Sequence, residues 1–381
     1  MKKTAVFLVF SFLLILFCSC SYNLDSDGFE LVSDFKWDGA YDFSEGYAAV
    51  KKDGKWGYID TSGNLAINTV YDSAGSFSEG LAAVQTGYAW NYIDKTGKTV
   101  ISGDFEAANA FSGGVASVMI NNRYALIDKS GNLLTEPIYD IIRPLRDGAA
   151  VAEINSRYSF IKADGTLLGD FSWGGASDFS DGLAEVFEDY LSGYIDIDGN
   201  YVIALSIDDG SSFSQGLCAA MNGDRLWGYI DKSGEYVISP AWKEAKDFSE
   251  GFAAVSDGKN YAYISLDGAE ITEYKFKRAY AFSQNRAKVG VSSAFGISFG
   301  FIDETGEYAV DPVYTEAHEF SEGYAAVKNT SEKWGYTDIN GNTVLPFDFD
   351  SAYSFSEGVA RVVRGRKYGF IKISGTEGKT N

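Results

Sequence analysis

Acidic side chains recur in this sequence at a spacing that invites a catalytic reading. Glu45, Glu79, Asp147, Asp181, Glu250, Glu322 and Glu357 each stand directly before a glycine. Two carboxylates flanking a sugar bond can do glycosidase chemistry, one as acid and one as base or nucleophile. A catalytic pair should be unique, whereas these recur once per unit. That is how a structural or solvated position behaves. Asp196-Ile-Asp198-Gly-Asn200 and Asp338-Ile-Asn340-Gly-Asn342 look like fragments of a calcium loop. A full loop needs more oxygens, including a later Glu, and both stretches fall on a turn that every unit carries. They read as turns. His318 is the single histidine, and Glu316 and Glu319 beside it suggest a solvated edge. Cys218 occupies a column otherwise held by Ala48, Ala82, Ala116 and Ala253, so it reads as a small core residue. No GxxxxGK[ST], HExxH or Cys-x-x-Cys pattern occurs, and Gly290 to Gly300 follows the local repeat. The expectation is a protein without catalytic residues, cofactor or metal.

The first residues carry a different chemistry. Lys2 and Lys3 precede an apolar run from Ala5 to Phe17, too short to span a bilayer. Phe17-Cys18-Ser19-Cys20 resembles a lipobox, with Cys20 as the acylated first residue of the exported chain. The alternative is an ordinary cleaved signal without lipid. Residues 1–19 are thus expected to be a signal peptide and 20–27 a short tether. Cys18 leaves with the signal and Cys20 carries lipid. Cys218 then stands alone, with no intrachain disulfide. The formal net charge of -21 repels phosphate backbones, so nucleic acid is excluded as a partner. It also favours solubility.

The elements that hold these residues are repeats. Phe-Ser-Glu-Gly or a variant starts at Phe43, Phe77, Phe111, Leu145, Phe179, Phe213, Phe248, Phe282, Phe320 and Phe355. The step is close to 34 residues, except for one of 38 with extra residues around Val291 to Ser298. In the first copy GYAAVKK, Asp53-Gly54, KWGYID, Thr61-Ser62-Gly63 and NLAINTVY follow in turn. Three strands are expected, joined by a tight Asp-Gly hairpin and by a turn ending in left-handed Gly63. The corner glycine is replaced once, by Asn285. Asn is the residue that best substitutes where φ is positive.

Along the middle strand, aromatic residues such as Trp56 and Tyr58 share a face. Ser192 interrupts the first of these columns. A further aromatic column lies six residues before each corner, from Trp37 to Phe349, with Ile207 as its exception. One 34-residue unit cannot bury so many rings alone, so neighbours must stack. Rings at strand periodicity serve a core, or else a sugar-stacking platform.

Lys55-Trp-Gly-Tyr-Ile-Asp60, Trp227-Gly-Tyr-Ile-Asp231, Lys333-Trp-Gly-Tyr336 and the recurring corner resemble the WG-repeat (KWG) family. The resemblance covers roughly residues 28 to 375. Tyr124-Ala125 and Tyr158-Ser159 depart from the Trp-Gly pair. It implies an architecture, and no reaction or defined ligand.

The fold class is therefore all-β: ten tandem three-stranded meander repeats over 28–375, with a polar tail at 376–381. Residues 28–43 align with a third strand and corner, while the last unit stops after its second strand. A closed β-propeller uses such a split to lock its ring. Ten blades exceed the usual four to eight, so an open superhelical array is the favoured arrangement, with the closed ring as alternative. The functional expectation is a surface lipoprotein of the cell envelope, anchored to the cell or outer membrane through lipid. It would bind protein or glycan without catalysis. A structural scaffold within an envelope complex is the alternative, and a glycan-active enzyme the weakest reading.

Overall fold

Strands form here where β-branched and aromatic residues alternate, and they end where turn chemistry takes over. Tyr47–Lys52 and Lys55–Asp60 are joined by Asp53 and Gly54, both at positive φ (50° and 82°). This is the type I′ hairpin whose twist matches the strands. Lys55–Asp60 turns into Leu65–Tyr71 through Gly63 at φ 79°, whose N–H donates to the Asp60 carbonyl at 2.9 Å. The Asp60 carboxylate accepts from the N–H groups of Ser62 and Asn64, both at 2.9 Å. The computed structural model describes residues 29–294 and 296–373. Cys20, the signal and tether segments and the tail therefore lie outside the described residues.

Each unit gains a strand ahead of the three expected. Gly39–Ala40 pairs with Lys51 and Val50, giving a sheet ordered short strand, Tyr47–Lys52, Lys55–Asp60, Leu65–Tyr71. Two residues are too few to show alternation, so this strand left no periodic signal. Ten such sheets follow one another, eight with four strands and two with three. In the two thinner sheets the last strand shrinks to isolated pairs, Tyr124↔Tyr139 with Ile127↔Leu133, and Tyr261↔Phe276 with Ile264↔Glu270. The 38-residue step lengthens one hairpin, Arg286–Ser293 against Gly296–Ile302.

The core lies between sheets. Ala49, Tyr58 and Ile67 of blade 1 pack on Ala74, Phe77, Ala82, Val84 and Ile93 of blade 2. Tyr58 is fully buried, and its hydroxyl donates to the Gly75 carbonyl of the next blade at 2.7 Å. Its ring lies 4.9 Å from Phe77. The small column beside it is explained by Gly57, where a Cβ would sit 2.4 Å from the Ile67 carbonyl oxygen.

The favoured open array is corrected by the two ends. Phe29–Trp37 pairs antiparallel with Lys367–Ile373, from Phe29↔Ile373 to Trp37↔Tyr368, completing the sheet of Ser351–Ser356 and Val359–Arg364. The last unit lacks its own outer strand, and an unpaired edge is a liability. The N-terminal strand satisfies it. Across the seam with blade 1, Trp37, Phe43, Val359 and Phe370 share a core, and Arg361 Nε donates to Asp42 Oδ1 at 2.9 Å. The result is a closed ring of ten blades.

Candidate functional site

The recurring carboxylates belong to the joints of this ring. Ser44, Glu45, Gly46 and Tyr47 form a type I′ turn, with Glu45 and Gly46 at φ 54° and 86° and Ser44 bridged to Tyr47. Asn285 keeps a positive φ of 60° in the same place. The serine hydroxyl donates to the phenylalanine carbonyl of the next corner, as from Ser44 to Phe77 at 2.8 Å. This link recurs at nine of the ten joints and is lost only where Arg146 replaces the serine.

The acidic or Gln side chain that follows accepts from backbone N–H groups of the next corner. Glu357 accepts from Glu45 and Gly46 at 2.6 and 2.7 Å, and Glu45 in turn from Gly80 at 2.9 Å. This second link also closes nine of ten joints, failing where Gly113 has no side chain to offer. Burial works against the Glu45 carboxylate, but the Gly80 N–H and Lys95 hold it below the usual range. Phe-Ser-Glu-Gly is thus a clasp, and its carboxylates are occupied with capping.

Because corner touches corner around the whole ring, the corners and short strands form the hub. The Asp-Gly hairpins lie at the opposite end of the same strands. Beside them stands the first aromatic column: Trp56, Trp90, Tyr124, Tyr158, Trp227, Tyr261, Phe299 and Tyr368 are half-buried, and Trp334 is buried. The hairpin face of the ring therefore carries a circle of aromatic edges. Ser192 interrupts it, and Ser192 pairs across the sheet with Ile207. The two sequence exceptions are cross-strand neighbours in blade 5. Elsewhere this pair is two rings, such as Trp56↔Tyr71 and Trp227↔Trp242.

One arc of the hub is also aromatic. The residue two places before each corner is Tyr280, His318, Tyr353 and Tyr41 in blades 8, 9, 10 and 1. In the other six blades this place holds Gly75, Asn109, Arg143, Ser177, Ser211 or Lys246. Tyr41 stacks on Trp56 at 5.0 Å and 12°, and His318 meets Trp334 edge-on at 5.1 Å. Cations reach between them. Lys288 Nζ lies 3.9 Å from the Tyr280 ring centre and donates to the Ala317 carbonyl at 3.1 Å. The Arg361 guanidinium lies 3.6 Å from the Tyr353 ring centre. Burial pushes the Lys288 ammonium below its ordinary range, and burial with Lys288 nearby does the same to His318. Aromatic faces interleaved with fixed cations can stack a flat apolar surface and hydrogen-bond oxygens around it.

Other residues singled out in the sequence take their places. His318 is half-buried on this arc rather than on a solvated edge, because its ring turns onto Trp334 and Tyr353. Cys218 is buried with its thiol 2.9 Å from the Tyr194 hydroxyl, and burial pushes that thiol up to about 11. It is a core residue. Asp196 and Asp338 each cap their own turn, accepting from Asn200 and Asn342 N–H at 2.9 Å. Lys288, Arg361 and Glu185 went unnoticed in the sequence. They interrupt a column of small residues such as Ala49, Ala83, Ala219 and Ala254, which is the signal that would have found them.

Ten sheets of three or four strands, closed by the two ends and clasped at the hub, define a β-propeller, an architecture typical of binding and scaffold modules. Its repeats match the WG containing repeat family at residues 28–56, 56–90, 90–124, 124–158, 193–225, 227–261, 261–291, 299–331 and 334–368. The chain belongs to that family. Residues 159–192, ahead of the fifth match, are not covered by it. Among solved structures, the chain is similar to a eukaryotic initiation factor at 12% identity and a TM-score of 0.46, covering 83% of this chain and 89% of that one. It is similar to BamB from Moraxella catarrhalis at 12% and 0.34, covering 72% and 99%. It is also similar to the WD40 β-propeller domain of Doa1 at 12% and 0.29, covering 60% and 90%. No curated protein matches it.

Proposed function

We propose that this protein is a lipid-anchored module of the cell envelope that binds a glycan on the aromatic arc of its hub and does not turn it over. The observation that carries the reading is the arc of Tyr280, His318, Tyr353 and Tyr41, with Lys288 and Arg361 set among the rings. Sugar rings pack an apolar face on aromatics and spend their hydroxyls on polar neighbours. The corner carboxylates, the obvious candidates for glycosidase chemistry, are engaged in clasps between blades. The anchor rests on the lipobox-like Phe17-Cys18-Ser19-Cys20.

The test is a glycan array probed with the purified chain lacking residues 1–20. Binding to a defined glycan, weakened about tenfold or more by Tyr353→Ala with an unchanged melting curve, supports the reading. An array without binders, together with one envelope protein co-purifying at unit stoichiometry, replaces it with a scaffold. Glycan turnover abolished by one carboxylate substitution overturns it. For the anchor, Cys20→Ala should release the protein from membranes or leave it unprocessed. Fractionation and migration like the wild type would remove the lipid from the proposal.

A further inference from the structure

The one blade that lost its ring pair holds a pocket of about 230 Å³, between blades 5 and 6, lined by Gly175, Ser177, Glu185, Phe187, Ser192 and Asp209. Its origin can be traced residue by residue. In blade 1 the Trp56 ring lies over Gly39, 3.3 Å from where a Cβ would stand. Gly175 is the corresponding residue of blade 5, and Ser192 stands where the tryptophan would be. No indole covers Gly175; Phe187 comes closest instead, its Cβ and ring Cδ1 each 3.6 Å from the same point. The rest of the space an indole would fill is open.

Into that space the sheet sends a carboxylate. Glu185 replaces a small residue of the neighbouring strand and is itself half-buried. Ser192 Oγ donates to one of its oxygens at 2.6 Å and Ser177 Oγ to the other at 3.0 Å. Both donors are neutral. Among the described residues no cation is paired with Glu185. Arg157 of blade 4, whose guanidinium reaches Gly174 next to the pocket, is held by Glu188 at 2.6 Å. Asp209, from the next blade, adds a second negative charge at the wall. Phe187 is 39% exposed at the rim. All of Ser177, Glu185, Phe187 and Ser192 fall within 159–192, the stretch the family pattern does not cover.

We propose that this pocket binds an alkylammonium group, such as a primary amine or the side chain of a partner's lysine. The ammonium takes the free lone pairs of Glu185 in a charge-assisted hydrogen bond, and Asp209 adds attraction. The alkyl stem lies on Phe187, whose ring face also favours a cation. A metal ion is a poorer occupant of this donor set. Calcium takes six to eight oxygens, whereas one wall here is a phenyl ring and both hydroxyl protons already point to Glu185. The site is independent of the arc in blades 8, 9, 10 and 1.

The test uses the purified chain lacking residues 1–20, with n-butylammonium chloride as probe and saturation-transfer NMR as readout. Saturable binding is expected, weakened about tenfold or more by Glu185→Gln. Ser192→Trp restores the ring of the other repeats and should abolish binding without lowering the melting temperature. Sodium butyrate, the same stem with the opposite charge, should not bind. Tyr353→Ala, which tests the glycan reading, should bind the amine like wild type. The proposal is overturned if butylammonium shows no saturable signal, if butyrate binds equally well, or if folded Glu185→Gln and Ser192→Trp both bind like wild type.

Discussion

Gly251→Val isolates the conformational demand of a hub corner. Gly251 sits at φ 91°, and a Cβ built there meets nothing within 4 Å. No clash contributes, so the whole cost is backbone strain, on the order of 1–3 kcal/mol for a β-branched residue. The N–H of residue 251 still reaches Gln215 Oε1 at 2.8 Å in wild type, and strain at this turn would pull on that clasp too. A chain of this size unfolds with an entropy of about 0.7 kcal/mol/K, so the melting temperature should fall by about 1.5–4 °C. Asn285→Gly at the matching corner should be neutral or slightly stabilising, since φ 60° suits both residues. Calorimetry with limited proteolysis reads both. In a closed ring every blade has two packed neighbours, so the loss should lower one common transition. A Gly251→Val protein that melts like wild type would refute the strained corner. A separate early transition cleaved only around blade 7 would refute the cooperative ring.

Phe29 is 2% exposed and packs edge-on against Phe349 at 5.9 Å, so Phe29→Ala should cost about 3–5 kcal/mol in denaturant unfolding. A loss under about 1 kcal/mol would mean that the N-terminal strand adds little to the last sheet. Burial lifts the Glu185 carboxyl above its usual range, against the lowering effect of the Ser192 and Ser177 hydroxyls. A raised folded-state value makes ionisation unfavourable in the fold. That destabilisation is absent below the unfolded carboxylate range and sets in as pH rises through it. Glu185→Gln should therefore melt higher than wild type at pH 8 and level with it near pH 3.5, and a gap that is the same at both would refute the assignment. Cys218 is buried with its thiol pushed up to about 11, so iodoacetamide at pH 8 should label it only as fast as the protein unfolds. Rapid labelling of the native chain would contradict its place in the core.

Much of the blade could be read from the residues. The Asp-Gly hairpin, the left-handed Gly63 and the positive φ behind the Gly-to-Asn exchange at Asn285 all depend on local backbone, which adjacent residues encode. The purpose of Ser and Glu in the corner could not be read the same way. Ser44 and Glu45 act on Phe77 and Gly80, one whole repeat away, and no local pattern marks that link. The short strand Gly39–Ala40 escaped because two residues have no period. Closure stood only as the alternative because the split phase of the ends suits a ring and an array alike, and the pairing of Phe29 with Ile373 decides for the ring. The arc of Tyr280, His318, Tyr353 and Tyr41 lies in a column without hydrophobic regularity. Tyr280, His318 and Tyr353 come together as blades 8, 9 and 10 stack, and Tyr41 joins them only once blade 10 meets blade 1.

The mixed sheet at the seam also orders events in time. Nine blades consist of hairpins between residues close in sequence, contacts of low order that form early on a growing chain. The tenth cannot be completed until its last hairpin exists, so Phe29–Trp37 must wait, unpaired, while every other strand is made. Closing a free loop of that length costs about 5 kcal/mol in chain entropy. Stacking of the first nine blades brings the ends together beforehand, which removes most of that cost from the final step. The N-terminal strand thus behaves as a latch, last to engage on the way in. Contacts formed after the rate-limiting barrier govern the lifetime of the native state more than the speed of reaching it. Changes in these nine residues should therefore shorten the lifetime of the assembled ring more than they slow its formation.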